Sequence, residues 1–153
     1  MRILALDLGT RCGWALQSIT REFGLQIFDV KRGESPGMRY IRFNAWLDEI
    51  FNLSHPDIIV YEQTHNRGGA ATEVSAGFAT RVQEFCARHN LNHSTVHSGT
   101  LKKFATGSGH ADKSKMIEMA QSKFGYSGSD DNEADALWIL EWSKVNLNGG
   151  QNE

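Results

Sequence analysis

Three short segments rich in apolar and aromatic residues open the chain. They cover residues 2–8, 13–18 and 23–30. Their length and composition are typical of β-strands. The connections between them are too short for the crossover that parallel neighbours require. We therefore expect the chain to begin with an antiparallel meander of three strands.

The rest of the chain alternates between helical and extended patterns. Apolar residues recur at helical spacing in four segments, which are residues 38–53, 71–89, 112–124 and 132–145. Residues 57–62 and 92–97 are predicted strands, and residues 100–112 are rich in glycine and lysine and carry no predicted element. This order predicts an α/β fold with a mixed five-stranded sheet, in which helices flank the meander and two parallel strands.

Length and composition narrow the class of protein. A chain of 153 residues suits one domain, which we expect over residues 1–146, followed by a flexible tail over residues 147–153. The net charge of −2 means that any surface for nucleic acid must be a local patch. Two cysteines, no signal-peptide pattern and no apolar stretch of membrane-spanning length predict a cytoplasmic protein that does not bind membranes.

Three acidic residues stand where this topology can bring them together. Asp7 lies in the first strand, Glu62 closes the fourth, and Asp135 lies in the last helix. A right-handed crossover would place the fourth strand beside the first, and the last helix can then cross that point. Taken singly, each acid also fits an ordinary surface or helix-capping position. Together they predict a site for Mg²⁺, because clustered carboxylates repel one another unless a cation joins them.

A basic segment lies between the last two of these acids. Residues 100–125 hold five lysines against two acids, which gives this segment a net charge of +3 in an acidic chain. Single lysines are most often solvated surface groups. Their concentration here predicts a surface for phosphate groups.

Four stretches resemble the RuvC-type Holliday junction resolvases of the RNase H-like superfamily, in particular the compact phage forms. They are LALDLGTRCGWAL, IIVYEQTH, TLKKFATGSGHADKSKM and DDNEADALWIL, in this order. The resemblance implies an RNase H-like fold and a homodimeric endonuclease of DNA recombination and repair. Such an enzyme nicks four-way and related branched DNA symmetrically, leaving 5′-phosphate and 3′-hydroxyl ends. It would act in the cytoplasm of a bacterial cell or of a phage-infected host.

The same resemblance implies the metal ligands. Two Mg²⁺ ions per site, replaceable by Mn²⁺, would activate water and stabilise the leaving oxygen, without a nucleotide cofactor. Asp7, Glu62 and Asp135 match three of the family's four metal positions, with Asp7 bridging the ions. The remaining position is Asn132 rather than an acid. Asp131 is the alternative fourth ligand, because it lies four residues before Asp135 and so on much the same helix face.

Basic and aromatic positions of the family are also matched. Lys102 and Lys113 match two basic positions near the active site, where a lysine can stabilise charge on the scissile phosphate. Lys103 and Lys115 extend the expected contact with DNA. His65 stands where the family places an aromatic wedge, and Arg67 follows it as a residue that can stack on a base or hold a phosphate.

Two other functions compete with this interpretation. One is a non-catalytic protein of the same fold that binds junction DNA, which the neutral Asn132 favours. The other is an actin-like ATP-binding phosphotransferase, in which the sequence DLGT would hold phosphate. The chain has no second glycine-rich phosphate loop, which such enzymes need, so the nuclease remains the favoured interpretation.

Overall fold

The computed structural model describes residues 1–64 and 68–147, which form five strands and five helices. The strands are β1 (Ile3–Asp7), β2 (Arg11–Gln17), β3 (Arg21–Ile27), β4 (Ile58–Glu62) and β5 (Asn92–Val96). The helices are α1 (Met38–Ser54), α2 (Ala70–His89), α3 (Ser98–Thr106), α4 (Lys113–Phe124) and α5 (Asp131–Leu147). His65, Arg67 and residues 148–153 of the predicted tail lie outside the described residues. The predicted domain bounds stay a prediction, although Leu147 belongs to α5.

The strands form one mixed sheet in the order β3-β2-β1-β4-β5. The pairs β1–β2 and β2–β3 are antiparallel, whereas β1–β4 and β4–β5 are parallel. The predicted fold class is therefore confirmed. The central strand β1 is fully buried from Ile3 to Leu6, because helices cover both of its faces.

Each face of the sheet has its own hydrophobic core. On one face, α1 and α2 pack through an aromatic cluster that includes Phe28, Phe43 and Phe78. On the other face, α3, α4 and α5 pack around Leu137 and Trp138. The Trp138 indole N–H donates to the carbonyl of Met116 at 3.1 Å, so the polar atom of this buried ring is satisfied.

The structure adds one helix that the sequence patterns did not predict. Residues 98–106 form α3, which overlaps the region 100–112 for which we expected no element. Leu101 and Ala105 are its buried residues, and they lie one turn apart on a helix of only nine residues. So short a stripe, next to Gly99 and Gly107, gives a weak periodic signal. Packing against α4 and α5 stabilises this helix.

Both helices of the first face begin at the same end of the sheet. The amide of Asp57 donates to the carbonyl of Arg2 at 2.9 Å, and the Arg2 guanidinium donates to the carbonyl of Ser54 at 3.4 Å. The last residue of α1 therefore lies beside the start of β1, and α1 begins at the end where β1 terminates. Helix α2 follows β4 and returns to β5, so it begins there as well. We call this the Asp7 end of the sheet.

Within residues 1–64 and 68–147, no helix is both long enough and apolar enough to cross a membrane.

Candidate metal centre

Three carboxylates converge at the Asp7 end of the sheet. Asp7 and Glu62 are the last residues of β1 and β4, which are adjacent parallel strands, so both side chains leave the sheet at the same edge. Asp135 reaches them from the first turns of α5. One oxygen from each of the three carboxylates lies within 4.8 Å of the others. The structure thus brings together the three acids that the sequence predicted.

A glycine in β2 permits this approach of α5. A Cβ atom on Gly13 would lie 1.9 Å from the carbonyl oxygen of Asn132, so any side chain here would displace the helix. Asp130 fixes the same end of α5, because its carboxylate accepts a hydrogen bond from the amide of Glu133 at 2.9 Å. Arg11 holds Asp130 in turn at 3.3 Å. The position of Asp135 therefore depends on contacts made one turn earlier in the helix.

Burial and mutual repulsion raise the pKa values of the clustered acids. The pKa of Asp7 lies well above its usual range, first because of burial and then because of the charges on Asp135, Glu62, Asp131 and Asp130. The pKa of Asp135 rises to about 7, through burial and through the charges on Glu62 and Asp131. A site that accumulates this much negative charge favours a bound cation. Its ligand atoms are hard carboxylate oxygens, which suit Mg²⁺.

Two lysines counter part of this charge. Lys102 on α3 and Lys113 at the start of α4 both lower the pKa of Asp135, so both lie within electrostatic reach of the site. The ammonium of Lys113 lies 3.3 Å from a carboxylate oxygen of Asp131. Lys103 is exposed, and Lys115 pairs instead with Glu118 at 3.6 Å. The four lysines thus separate into two near the carboxylates and two on the outer surface.

Two cavities open from the carboxylates. The larger, of about 450 Å³, lies toward α3, α4 and α5 and includes Lys102, Lys113, Asp131 and Asn132. The smaller, of about 220 Å³, lies toward α2 and is bordered by Thr72 and Ser75. Asp7 and Glu62 line both cavities. These two carboxylates are therefore accessible from two sides of the site.

The sequence patterns missed the residues that position the site. Asp130 and Gly13 were not singled out, although an isolated glycine inside a strand often marks a close backbone approach. Tyr126 was missed as well. Its hydroxyl donates to Glu133 at 2.8 Å and accepts from the amide of Asp130 at 3.1 Å.

The chain is similar in sequence to bacterial RuvC proteins. It is 30% identical to the crossover junction endodeoxyribonuclease RuvC of Rickettsia conorii over an alignment of 110 residues that covers 69% of each chain. It is 27% identical to the protein of the same name from Caldicellulosiruptor saccharolyticus over 148 residues, or 91% of this chain and 89% of that one. None of the protein-family models compared with the chain matches it.

Solved structures show the same fold. Thermus thermophilus RuvC in complex with a Holliday junction substrate superposes with a TM-score of 0.80 at 18% identity, covering 98% of this chain and 96% of that one. The Fowlpox virus resolvase bound to Holliday junction DNA gives a TM-score of 0.64 at 13% identity, covering 96% and 99%. Sequence similarity over two thirds of the Rickettsia protein and this common fold lead to one conclusion: the chain belongs to the RuvC family of crossover junction endodeoxyribonucleases.

Proposed function

We propose that this protein is a Mg²⁺-dependent endonuclease that resolves four-way DNA junctions by paired symmetric nicks. The observation that carries the proposal is the convergence of Asp7, Glu62 and Asp135, whose oxygens lie within 4.8 Å of one another in a member of the RuvC family. Relatives named crossover junction endodeoxyribonucleases, and solved relatives bound to Holliday junctions, support the choice of substrate.

The residues of the site have separable roles in this proposal. The carboxylates of Asp7, Glu62 and Asp135 would hold the metal. The proposal includes two Mg²⁺ ions per site, which Mn²⁺ can replace. The bound metal would supply Lewis acidity and an activated water. Lys102 and Lys113 face the same cavity, where their ammonium groups would hold the scissile phosphate over the carboxylates and offset its developing negative charge.

Sequence spacing favours Asn132 as the fourth ligand, and the alternative is Asp131. Its charge raises the pKa values of both Asp7 and Asp135, so it lies within electrostatic reach of both. Asn132 borders the same cavity, but its side chain is neutral. An anionic ligand would add more to the binding of a divalent cation than an amide oxygen would.

A homodimer and an extended DNA surface complete the proposal. Two symmetric nicks require two sites, which a dimer with twofold symmetry supplies. Lys103 and Lys115 are exposed on the side of the larger cavity and would contact the DNA backbone. His65 and Arg67 are proposed to act at the crossover, on the basis of sequence position.

Cleavage of labelled four-way junctions, flaps and plain duplex tests this proposal. The wild type should nick the junction at symmetric positions in Mg²⁺ or Mn²⁺ and not in EDTA. Asp7→Asn keeps the shape of the side chain and removes its charge, so it should bind junctions and lose at least a thousandfold in cleavage rate. Asp48→Asn, an exposed substitution on α1, should cleave as the wild type does.

The outcomes separate the competing functions. Tight junction binding without nicking in either metal would show a non-catalytic junction protein, and ATP hydrolysis without DNA would show a phosphotransferase. Equal cleavage by the wild type and Asp7→Asn would refute the site.

Metal titration of Asp131→Asn and Asn132→Asp assigns the fourth ligand. If Asp131 is that ligand, Asp131→Asn should weaken metal binding about tenfold or more.

A further inference from the structure

A second basic region lies at the Asp7 end of the sheet, on the face opposite Lys102 and Lys113. Strand β3 ends there, and the amide of Phe28 donates to the carbonyl of Thr10 at 2.7 Å. Phe28 then packs on Phe43 in the core of the α1–α2 face. The following segment, residues 29–42, therefore emerges on that face and leads into the start of α1. Since β3 is two strands from β1, it leaves the sheet about 10 Å to the side of Asp7.

One ion pair within this segment fixes its shape. The guanidinium of Arg42 donates to both carboxylate oxygens of Glu34 and to the carbonyl of Asp29 at 3.1 Å. Glu34 also accepts from the amide of Lys31 at 2.6 Å, and these bonds lower its pKa. A charged pair that makes this many hydrogen bonds orders the loop. The pair also neutralises the charge of Glu34 within the segment.

Three other cations of the segment form no ion pair with a described residue, although the charge of Lys31 also helps to lower the pKa of Glu34. Lys31 and Arg32 are exposed, and neither side chain forms an ion pair with any described residue. Arg39 is half-buried on the first turn of α1, and its Nε lacks a hydrogen-bond acceptor among the described residues.

The local field favours an anion at this corner. Apart from the Arg42–Glu34 pair, residues 29–42 retain Lys31, Arg32 and Arg39 against the single acid Asp29. The positive end of the α1 dipole lies at this corner as well, and the first turn of α1 contains no acidic residue. The corner is therefore cationic, although the chain as a whole is acidic.

We propose that Lys31, Arg32 and Arg39 form a second contact surface for the DNA backbone, which holds a duplex arm on the side of the carboxylates opposite Lys102 and Lys113. The proposal rests on the proposed function, because it assumes that the scissile strand crosses Asp7 and Glu62. The three residues line neither of the two cavities that open from Asp7 and Glu62. Their role is therefore binding of the arm, separate from chemistry at the scissile phosphate.

The experiment measures DNA binding alone. Each protein carries Asp7→Asn, and its affinity for a synthetic four-way junction is measured by fluorescence anisotropy in fixed Mg²⁺ with KCl varied. Removing two backbone contacts with Lys31→Ala and Arg32→Ala should weaken binding about tenfold and reduce the slope of log Kd against log salt by about two. Arg39→Gln, tested separately, should reduce the slope by about one.

The matched control removes the same two charges from the other end of the sheet. Arg88 and Lys144 lie near the carboxyl ends of α2 and α5, so Arg88→Ala with Lys144→Ala should leave the slope nearly unchanged. Equal slopes for the two double variants would overturn the proposal. So would a dissociated dimer in sedimentation of the Lys31/Arg32 variant, or a parent protein that fails to bind junctions. Because no cleavage is measured, a protein that binds but does not cut would refute the proposed nuclease and leave this surface standing.

Discussion

The two faces of the sheet differ in how their basic residues relate to the carboxylates. On the α3–α5 face, Lys102 and Lys113 are close enough to lower the pKa of Asp135. On the α1–α2 face, Lys31, Arg32 and Arg39 line neither of the two cavities that open from the carboxylates. Both groups lie at the Asp7 end, yet only the first shares a cavity with the acids.

This difference separates cations expected to act in catalysis from cations expected to act in DNA binding. A cation near the reacting phosphate affects the rate, since it acts on charge that develops in the transition state. A more distant cation contributes through release of counterions from DNA, so it affects affinity and salt dependence. A protein with a net charge of −2 can bind a polyanion if its unpaired cations are concentrated around one site in this way.

The largest effect should follow from detaching the α3–α5 face. Gly13→Ala places a Cβ where the carbonyl of Asn132 stands, so α5 must move away from β2 and carry Asp135 out of the carboxylate cluster. We expect a loss of about 3 kcal/mol in the free energy of unfolding, as for overpacked cores. Cleavage should fall more than a hundredfold, which a junction assay with thermal unfolding would measure.

Gly99→Ala is the matched control for that substitution. Gly99 lies in α3 on the same face, and a Cβ there would meet no heavy atom within 4 Å. The alanine should leave the melting temperature unchanged or raise it slightly, because alanine is the better helix former. Equal melting temperatures for the two variants would show that α5 does not depend on the close contact at Gly13.

A smaller effect should separate the lysines of the cavity from those elsewhere. Lys102→Ala and Lys113→Ala should each lower the single-turnover cleavage rate about a hundredfold, since each removes a charge from the carboxylate cavity. Lys123→Ala, an exposed change in the last turn of α4, should leave the rate within twofold. Rates that fall equally in all three variants would mean that the lysines act through overall charge and not through position.

The strand pairing and the clustered acids could be predicted from the sequence. The residues that position the site could not. Alternating elements and the rules of strand connection place Asp7 beside Glu62 before any coordinates are known. The contact between Gly13 and Asn132 is different, because it depends on how deeply one helix approaches one strand. The cations at residues 29–42 were also missed. Their significance depends on Glu34 pairing with Arg42, which composition does not show.

The smallest expected effect is the loss of folding stability that the clustered acids cause in the metal-free protein. The pKa of Asp135 is about 7 in the folded protein against an ordinary value of 3.8. Between these pH values the folded state retains a proton that the unfolded state has released. The free energy of unfolding therefore decreases as pH rises from about 4 to about 7, and above that range Asp135 causes no further change.

Asp135→Asn should accordingly stabilise the metal-free protein at neutral pH and not in acid. In EDTA at pH 7.5 we expect a gain of about 2 kcal/mol, or roughly 6 °C in melting temperature, and at about pH 3 a gain near zero. Glu22→Gln, an exposed change on β3, supplies the control for loss of one acid. Mg²⁺ should stabilise the wild type more than Asp135→Asn, because a ligand that binds the folded state raises its stability. A variant less stable than the wild type in EDTA at pH 7.5 would mean that Asp135 serves the fold, and that the cluster carries no repulsion for a metal to relieve.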